Sequence, residues 1–313
     1  MTALLMALAV ALDWLLGGQR RRHLLVGFER LAAWLEQRLY APDRWRGVFT
    51  VATLLLPITL LATELAAELA ELPGLWGAAF SSAFSIFALT FALGHKCLHG
   101  HVRRSVSRDA ESLEITLSAC ERVLENDGVF GALFWFLVAG APGAILYRLA
   151  NTLEARWDDN NPRTPEFGWA AAQLDDMLNI VPGHLTALTY ALLGHARGNT
   201  RQALACWREQ APAWDNPNVG PVLAAGAGAL GIKLGGRACY QGEWRERPLL
   251  GVGAAPEVAD IERALALVRH GVLLWLVVIG LGALAWWWLG SFATAQAPDW
   301  NGILDFVSEK LLL

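Results

Sequence analysis

The chain has 313 residues, 55% of them hydrophobic and 17% charged, and a formal net charge of -4. Charges collected between long apolar runs mark a membrane protein, and no basic stripe interleaved with aromatics provides a nucleic-acid footprint. Cys97, Cys120, Cys206 and Cys239 lie far apart without a CxxC pair, which argues against a disulfide framework or zinc knuckle and fits free thiols in a reducing compartment.

Residues 1–16, MTALLMALAVALDWLL, lack a preceding basic region and a following small-residue cleavage site, so they read as a retained span rather than a signal peptide. They reach only marginally the ~20 residues that a hydrocarbon core about 30 Å thick requires. Asp13 falls near the cytoplasmic end, where a carboxylate can reach headgroups or an arginine. Gln19 to Gly47 then carries Arg20, Arg21, Arg22, Arg30, Arg38, Arg44 and Arg46. Spans over 48–66 and 75–93 follow, joined by a 64–74 loop with Glu64, Glu68, Glu71 and no base. The positive-inside rule puts 17–47 in the cytoplasm. That gives an N-terminus outside, 94–268 inside, a last span at 270–290, and a C-terminus outside. Trp286, Trp287 and Trp288 sit at the outer interface, and the tail ILDFVSEKLLL reads as an interfacial helix.

Within 94–268, VFGALFWFLVAGAPGAILYRL and MLNIVPGHLTALTYALLG are nearly as apolar as the spans but are interrupted by Pro142, Gly143, Pro182 and Gly183. They read as broken or re-entrant helices, with two further spanning hairpins as the alternative. Irregular backbone at membrane depth survives where protein or a watery cavity satisfies it, so the breaks point to a site. The predicted fold class is all-α: one polytopic membrane domain over 1–313, with about four firm transmembrane helices and additional broken or re-entrant helices on the cytoplasmic side. No alternating strand pattern with hairpin turns is visible.

Polar residues gather beside the broken helices: SRDAESLE from Ser107, LENDG from Leu124, YRLANTLEARWDDNNPR from Tyr147, LDDMLN from Leu174 and NPNVG from Asn216. Asp175 with Asn179 and Arg148 with Thr152 are i, i+4 pairs, and Asn151 with Glu154 is i, i+3, so each helix can aim polar groups at one point. Oxygen ligands of this kind suit Mg²⁺ bridging to substrate phosphates. No GxxxxGK[ST] loop is present. The glycine-dense stretches from Gly226 and Gly235 either approach a phosphate, with Lys233 or Arg237 as counter-charge, or serve close helix packing. His95, His99 and His101 form an HxxxHxH group that reads as interfacial or, through its i, i+4 pair, metal-binding. No serine or cysteine nucleophile can be assembled with a base.

The blocks YRLANTLEARW, FGWAAAQLDDMLNIVPGHLTALTYALLG, NPNVGPVLAAGAGALGIKLGG and WRERPLLG resemble, in order and spacing, the CobD/CbiB cobalamin biosynthesis proteins. The resemblance runs from about Ser107 to the last span, with a weaker echo in LDWLLGGQRRRHLLVGFERLAAWLE. It implies ATP- and Mg²⁺-dependent condensation of adenosylcobyric acid with (R)-1-amino-2-propanol O-phosphate at the cell inner membrane, giving adenosylcobinamide phosphate. The implied partners are these corrinoid and aminopropanol phosphate substrates, the lipid bilayer and other membrane proteins of cobalamin assembly. On matching positions, Glu125, Asn126, Asp127, Glu154, Asp175 and Asp176 are implied catalytic groups, with Asp175, Asp176 and Glu154 as metal ligands. Asn151, Thr152, Asn179 and Asn218 are implied hydrogen-bonding groups, and Arg108, Arg148, Arg163 and Lys233 phosphate contacts. The chain departs from the family pattern at Arg122, in the shortened LENDG segment, at Glu154 and at Asp158, Asp159 and Asn160. Those departures also fit a family member that has lost catalysis and acts as a regulator or assembly partner.

Overall fold

A computed structural model describes residues 1–16, 21–93, 113–125, 127–157, 165–194, 199–240 and 243–295. In chain order it contains α1 (Thr2–Leu16), α2 (Arg21–Leu39), α3 (Arg44–Glu71), α4 (Gly74–Ala92), α5 (Leu113–Glu125), α6 (Asp127–Arg156) and α7 (Pro165–Leu193). Then come α8 (Thr200–Gln210), a 3-10 turn (Ala211–Ala213), α9 (Val219–Leu230), strands β1 (Lys233–Tyr240) and β2 (Glu243–Gly251), and α10 (Val258–Ala295). The C-terminal tail and the three histidines of the HxxxHxH group lie outside the described residues.

Among the described residues, four stretches are long and apolar enough to cross a membrane: Arg44–Glu71, Gly74–Ala92, Leu113–Arg156 and Val258–Leu289. Three of them match the spans expected at 48–66, 75–93 and 270–290, the last two to within one residue at the C-terminal end. At 15 residues, α1 is about 22 Å long, short of the ~30 Å core; it packs against α4 and α10. The segment expected as a 64–74 loop instead continues α3 to Glu71, because its Ala, Leu and Glu residues are strong helix formers. Its three glutamates are exposed, and the turn comes at Leu72 and Pro73.

Leu113–Arg156 qualifies by length and composition, yet its apolar part doubles back. Ala139 (φ -130°, ψ 15°) and Gly140 (φ 64°, ψ -149°) leave helical geometry. A Cβ on Gly131 would lie 2.1 Å from the Tyr147 ring, and one on Gly128 would lie 3.4 Å from an Arg148 guanidinium nitrogen. In a straight helix residues 131 and 147 would stand about 24 Å apart. Helix α6 is therefore a hairpin with antiparallel limbs, 127–138 and 141–156, of roughly 18 and 24 Å, each too short to span. This is the re-entrant element that Pro142 and Gly143 signalled. Gly140 takes the positive φ that a side chain resists, and Pro142 stands in the first turn of the second limb, where no N–H is required.

The second expected break does not occur. Helix α7 runs unbroken through Pro182 and Gly183. A proline inside a helix leaves the carbonyl four residues earlier without its donor, and here the indole Nε1 of Trp135, on the first limb of α6, donates to the Leu178 carbonyl at 2.9 Å. The break predicted at Pro182 is thus replaced by a cross-helix hydrogen bond. Gly183 lets α7 approach α9, its Cβ position lying 3.2 Å from the Asn218 carbonyl.

Helix α9 is the centre of the packing, buried at every residue from Gly220 to Leu230. Its glycines bring neighbours to backbone distance: a Cβ on Gly226 would meet Leu124 at 3.0 Å and Tyr190 at 3.3 Å, and one on Gly228 would meet Ala203 Cα at 2.7 Å. Of the two readings open for this glycine stretch, the structure shows close packing. The fold is all-α as expected, with one β element in the next stretch, where β1 and β2 pair antiparallel. Alternation is obscured there by a bulge between Leu234 and Gly236, where Gly235 and Gly236 both have positive φ. Leu234 and Leu250 face inward, fully buried.

One ion pair ties the hairpin to the helices. Glu121 of α5 accepts from Arg247 Nη1 at 2.8 Å and Nη2 at 3.0 Å, and from the Gly235 backbone N–H at 3.0 Å. The Arg247 guanidinium also lies 5.3 Å from the Trp214 ring centre. Side-chain exposures of 14% for Arg247 and 5% for Glu121 make the pair largely buried, so removing one partner strands a charge. Glu121→Ala should lower the stability of the detergent-solubilised protein by about 3 kcal/mol, read as a drop in its unfolding midpoint, with a smaller loss in the Glu121→Leu/Arg247→Leu pair.

Candidate functional site

Two polar clusters sit on α7, on either side of its axis. Asp175 and Asp176 are consecutive, so they point about 100° apart. Asp176 faces α9. Its Oδ1 accepts from Asn216 Nδ2 at 3.0 Å and Asn218 Nδ2 at 3.1 Å, and its carbonyl accepts from Asn218 Nδ2 at 2.9 Å. Asn216 Oδ1 in turn accepts the backbone N–H groups of Asn218 at 2.8 Å and Val219 at 3.1 Å, which begin α9 and lack intrahelical partners. This cluster fastens the start of α9 to α7.

Asp175 faces α6 instead. The fully buried Tyr147 donates its hydroxyl to Asn179 Oδ1 at 2.8 Å, and Asn179 Nδ2 donates to Asp175 Oδ2 at 2.9 Å. Asn151 interacts with the same carboxyl, yet Oδ1 is buried without a well-formed hydrogen bond. Burial pushes the Asp175 carboxyl up to about 6; the Asn151 and Asn179 amides pull it back, and Asp176 adds to the rise. The chain Tyr147–Asn179–Asp175 thus orients a buried carboxyl against Asn151.

In front of Asn151 lies an open pocket of about 370 Å³, lined by Leu25 and Glu29 of α2 and by Arg148, Asn151, Thr152, Ala155 and Arg156 of the second α6 limb. The last turn of that limb is tied to α2: Glu36 accepts from Arg156 Nη2 at 3.1 Å and from Trp157 Nε1 at 3.0 Å. Thr152 Oγ1 donates to the Arg148 carbonyl at 2.8 Å. The arrangement offers a guanidinium, amide and hydroxyl at the surface, with a carboxyl one layer behind.

The structure therefore brings together Arg148, Asn151, Thr152, Asp175 and Asn179. It does not bring in the others. Asp176 and Asn218 are engaged with each other. Glu154 is half-buried on the same limb but does not line the pocket. Glu125 ends α5 within electrostatic reach of Glu121 and Arg247, on the hairpin side. Lys233 is exposed beyond the C-terminal end of α9, about 18 Å along that helix from Asn218. Asn126, Arg108 and Arg163 lie outside the described residues, as does the Asp127 side chain. Among the described residues no three His, Cys, Asp or Glu side chains gather to hold a metal, so Asp175, Asp176 and Glu154 do not form a ligand set. Sequence reasoning missed Tyr147, Glu29 and Arg156; for Tyr147 the available signal was its i, i+4 spacing to Asn151.

Residues 6–268 match the family described as CobD/Cbib protein. The chain is 49% identical to "Cobalamin biosynthesis protein CobD" of Stutzerimonas stutzeri, over 88% of this chain and 95% of that protein. It is 48% identical to the protein of the same name from Chromobacterium violaceum, over 88% and 94%, and 35% identical to that of Mycobacterium tuberculosis, over 82% and 88%. No solved structure matches the chain.

The raised Asp175 carboxyl has a thermodynamic consequence. Between about pH 4, where it would ionise in the unfolded chain, and about 6, the folded protein holds a proton that the unfolded chain has released. Its contribution is fully present below that interval and is lost as pH rises through it, by at most roughly 3 kcal/mol. Unfolding midpoints of the solubilised protein should fall across this range, and Asp175→Asn should flatten the slope. An unchanged slope in the variant would assign the pH dependence elsewhere.

Proposed function

The chain belongs to the CobD/Cbib protein family, and from that premise we propose that it is the ATP-dependent ligase joining adenosylcobyric acid to (R)-1-amino-2-propanol O-phosphate. The observation that carries this reading is the pocket between α2 and α6, where Arg148, Asn151 and Thr152 stand in front of the oriented Asp175. A small phosphorylated amine carries a dianion and an ammonium a few ångströms apart. Arg148 matches the phosphate, and Glu29, on the same lining, matches the ammonium.

Amide formation from a carboxylate requires activation. In the proposed sequence a carboxylate oxygen of the corrinoid takes the terminal phosphoryl group of ATP, releasing ADP and leaving an acyl phosphate. The amine nitrogen then attacks the acyl carbon, the C–N bond forms, and the C–O bond to phosphate breaks. Only the neutral amine attacks, so a proton must leave the ammonium. Glu29, the carboxylate on the pocket lining, is the proposed acceptor of that proton. Asp175, held by Tyr147 and Asn179 one layer behind, fixes the Asn151 amide that faces the substrate. The residues expected as magnesium ligands do not fit a resident metal site, since Asp176 is occupied by two amides and Glu154 does not line the pocket. Mg²⁺ is therefore proposed to enter as the counter-ion of ATP, and no step runs through a protein-bound metal.

We also place the protein in the cell inner membrane with the C-terminus outside and 94–268 in the cytoplasm, on the arginine-rich 17–47 segment and the acidic end of α3; α1 is too short to carry the N-terminus across. Reporter fusions at residues 70 and 160 test this: the first should report outside and the second inside, and an external signal at 160 overturns the orientation.

For the activity, purified protein with ATP, Mg²⁺, cobyric acid and aminopropanol phosphate should yield the ligated product. Arg148→Ala should lower kcat/KM for the phosphorylated amine by about 10–100-fold, the loss of one charge-assisted contact, while Glu154→Gln and Lys233→Ala stay near wild type. No product from wild type, under conditions in which the Stutzerimonas stutzeri relative ligates, would leave a family member without catalysis.

A further inference from the structure

We propose that the outward face of α2 binds the headgroups of anionic phospholipids, making the roof of the α2–α6 pocket a membrane-surface element. Helix α2 ends at Leu39, and the membrane-crossing α3 starts at Arg44; at its other end, only residues 17–20 separate it from the apolar α1. A helix about 28 Å long with both ends tethered to membrane-level segments lies along the bilayer surface rather than projecting from it.

The exposed face of α2 combines cations with apolar side chains. Arg30, Trp34 and Arg38 recur at i, i+4 and i+8, so they form one row, and all three are exposed. Trp34 is 47% exposed, with Leu31 beside it at 44%. The Arg38 guanidinium sits 4.1 Å from the centre of the Trp34 ring. The opposite face, with Phe28 and Ala32, is buried against the protein. An indole and a leucine left exposed between two guanidinium groups suit the boundary of acyl chain and phosphate, where the ring enters the interface and the cations meet headgroup oxygens.

Continuity and charge balance agree. The surface is prolonged into the first turns of the α3 span by Trp45 at 78% and Phe49 at 61% exposure, accompanied by Arg46, while Arg44 is paired with Glu166 at 2.7 Å. The acids of α2 do not neutralise the row: Glu29 lines the pocket, and Glu36 is occupied by Arg156 and Trp157. The outer face thus presents cations to a surface that carries anions. Because Leu25 and Glu29 line the pocket from this same helix, lipid on one face of α2 fixes the wall on the other. This inference does not depend on which reaction the pocket serves.

The test uses the full chain in nanodiscs of phosphatidylcholine alone or mixed with phosphatidylglycerol. Hydrogen exchange is followed over residues 25–40, and retained lipid is counted by native mass spectrometry. Phosphatidylglycerol should slow exchange in α2 and remain bound. Arg30→Gln/Arg38→Gln should weaken its retention by about 25-fold, at about fivefold per arginine near an anionic surface. Exchange in α9 reports whether the variant keeps its fold. If it does not, wild type alone decides, since raised salt should abolish the phosphatidylglycerol effect. Equal α2 exchange in the two lipids, salt-independent protection, or undiminished retention in the folded variant each overturns the proposal. Protection that appears only when an acidic soluble protein is added overturns it as well.

Discussion

The structure depends on how closely helices can approach α9. VGPVLAAGAGAL offers little more than its own backbone to its neighbours, and they come close to it: α5 through Leu124, α7 through Tyr190 and Gly183, α8 through Ala203, and the hairpin through Gly251, whose Cβ position lies 2.6 Å from Ala227. A single added methyl at Gly228 would collide with the backbone of Ala203. Such a helix has no polar side chain of its own, so its ends must be satisfied from outside. Asn216 and Asp176 do this at the start. At the end, Arg263 of α10 donates to the Leu230 carbonyl while also pairing with Asp260. The two polar clusters most visible in this region are first of all solutions to the burial of α9.

From that anchor the candidate site follows. Fixing α9 fixes α7, and α7 presents Asp176 to it and Asp175 away from it. The α6 hairpin then supplies the facing surface, with Trp135 on one limb taking the carbonyl that Pro182 leaves open and Tyr147 on the other reaching Asn179. The turn at Ala139 and Gly140 is what allows both limbs to meet α7. A straight α6 would carry Tyr147 and Asn151 away from the residues that its first limb packs against.

Much of this was legible in the sequence, unevenly and for identifiable reasons. Long apolar runs and arginine placement located α3, α4 and the exposed half of α10, because hydropathy reports lipid contact directly. The doubling back of α6 was legible as Pro142 and Gly143 inside an apolar run. Pro182 gave the same signal and produced no break, since the outcome turns on a donor 43 residues away at Trp135, which no local pattern contains. The hairpin was invisible because consecutive glycines at a bulge erase the two-residue period. Among the site residues, Arg148, Asn151 and Thr152 were legible by helical spacing. The separation of Asp175 from Asp176 was not, because adjacent acids look alike until the packing on either side of the helix is known. Lys233 looked equivalent to the arginines until α9 was seen to hold it at the far end.

Helix α10 carries a consequence of another kind. Its 38 residues make it about 57 Å long, nearly twice the hydrocarbon thickness. Up to Val272 it is packed against the bundle, Trp275, Leu276 and Ile279 still touch it along one side, and from Leu281 to Leu289 it is bare. The bare part engages the lipid while the packed part rises out of it as a rigid post, bolted through Arg263 to the end of α9. The height of the whole polar layer above the bilayer midplane is therefore set by residue count along one uninterrupted rod. A membrane that thickened or thinned around the bare segment would raise, lower or tilt that layer as a unit, without rearranging a contact inside it.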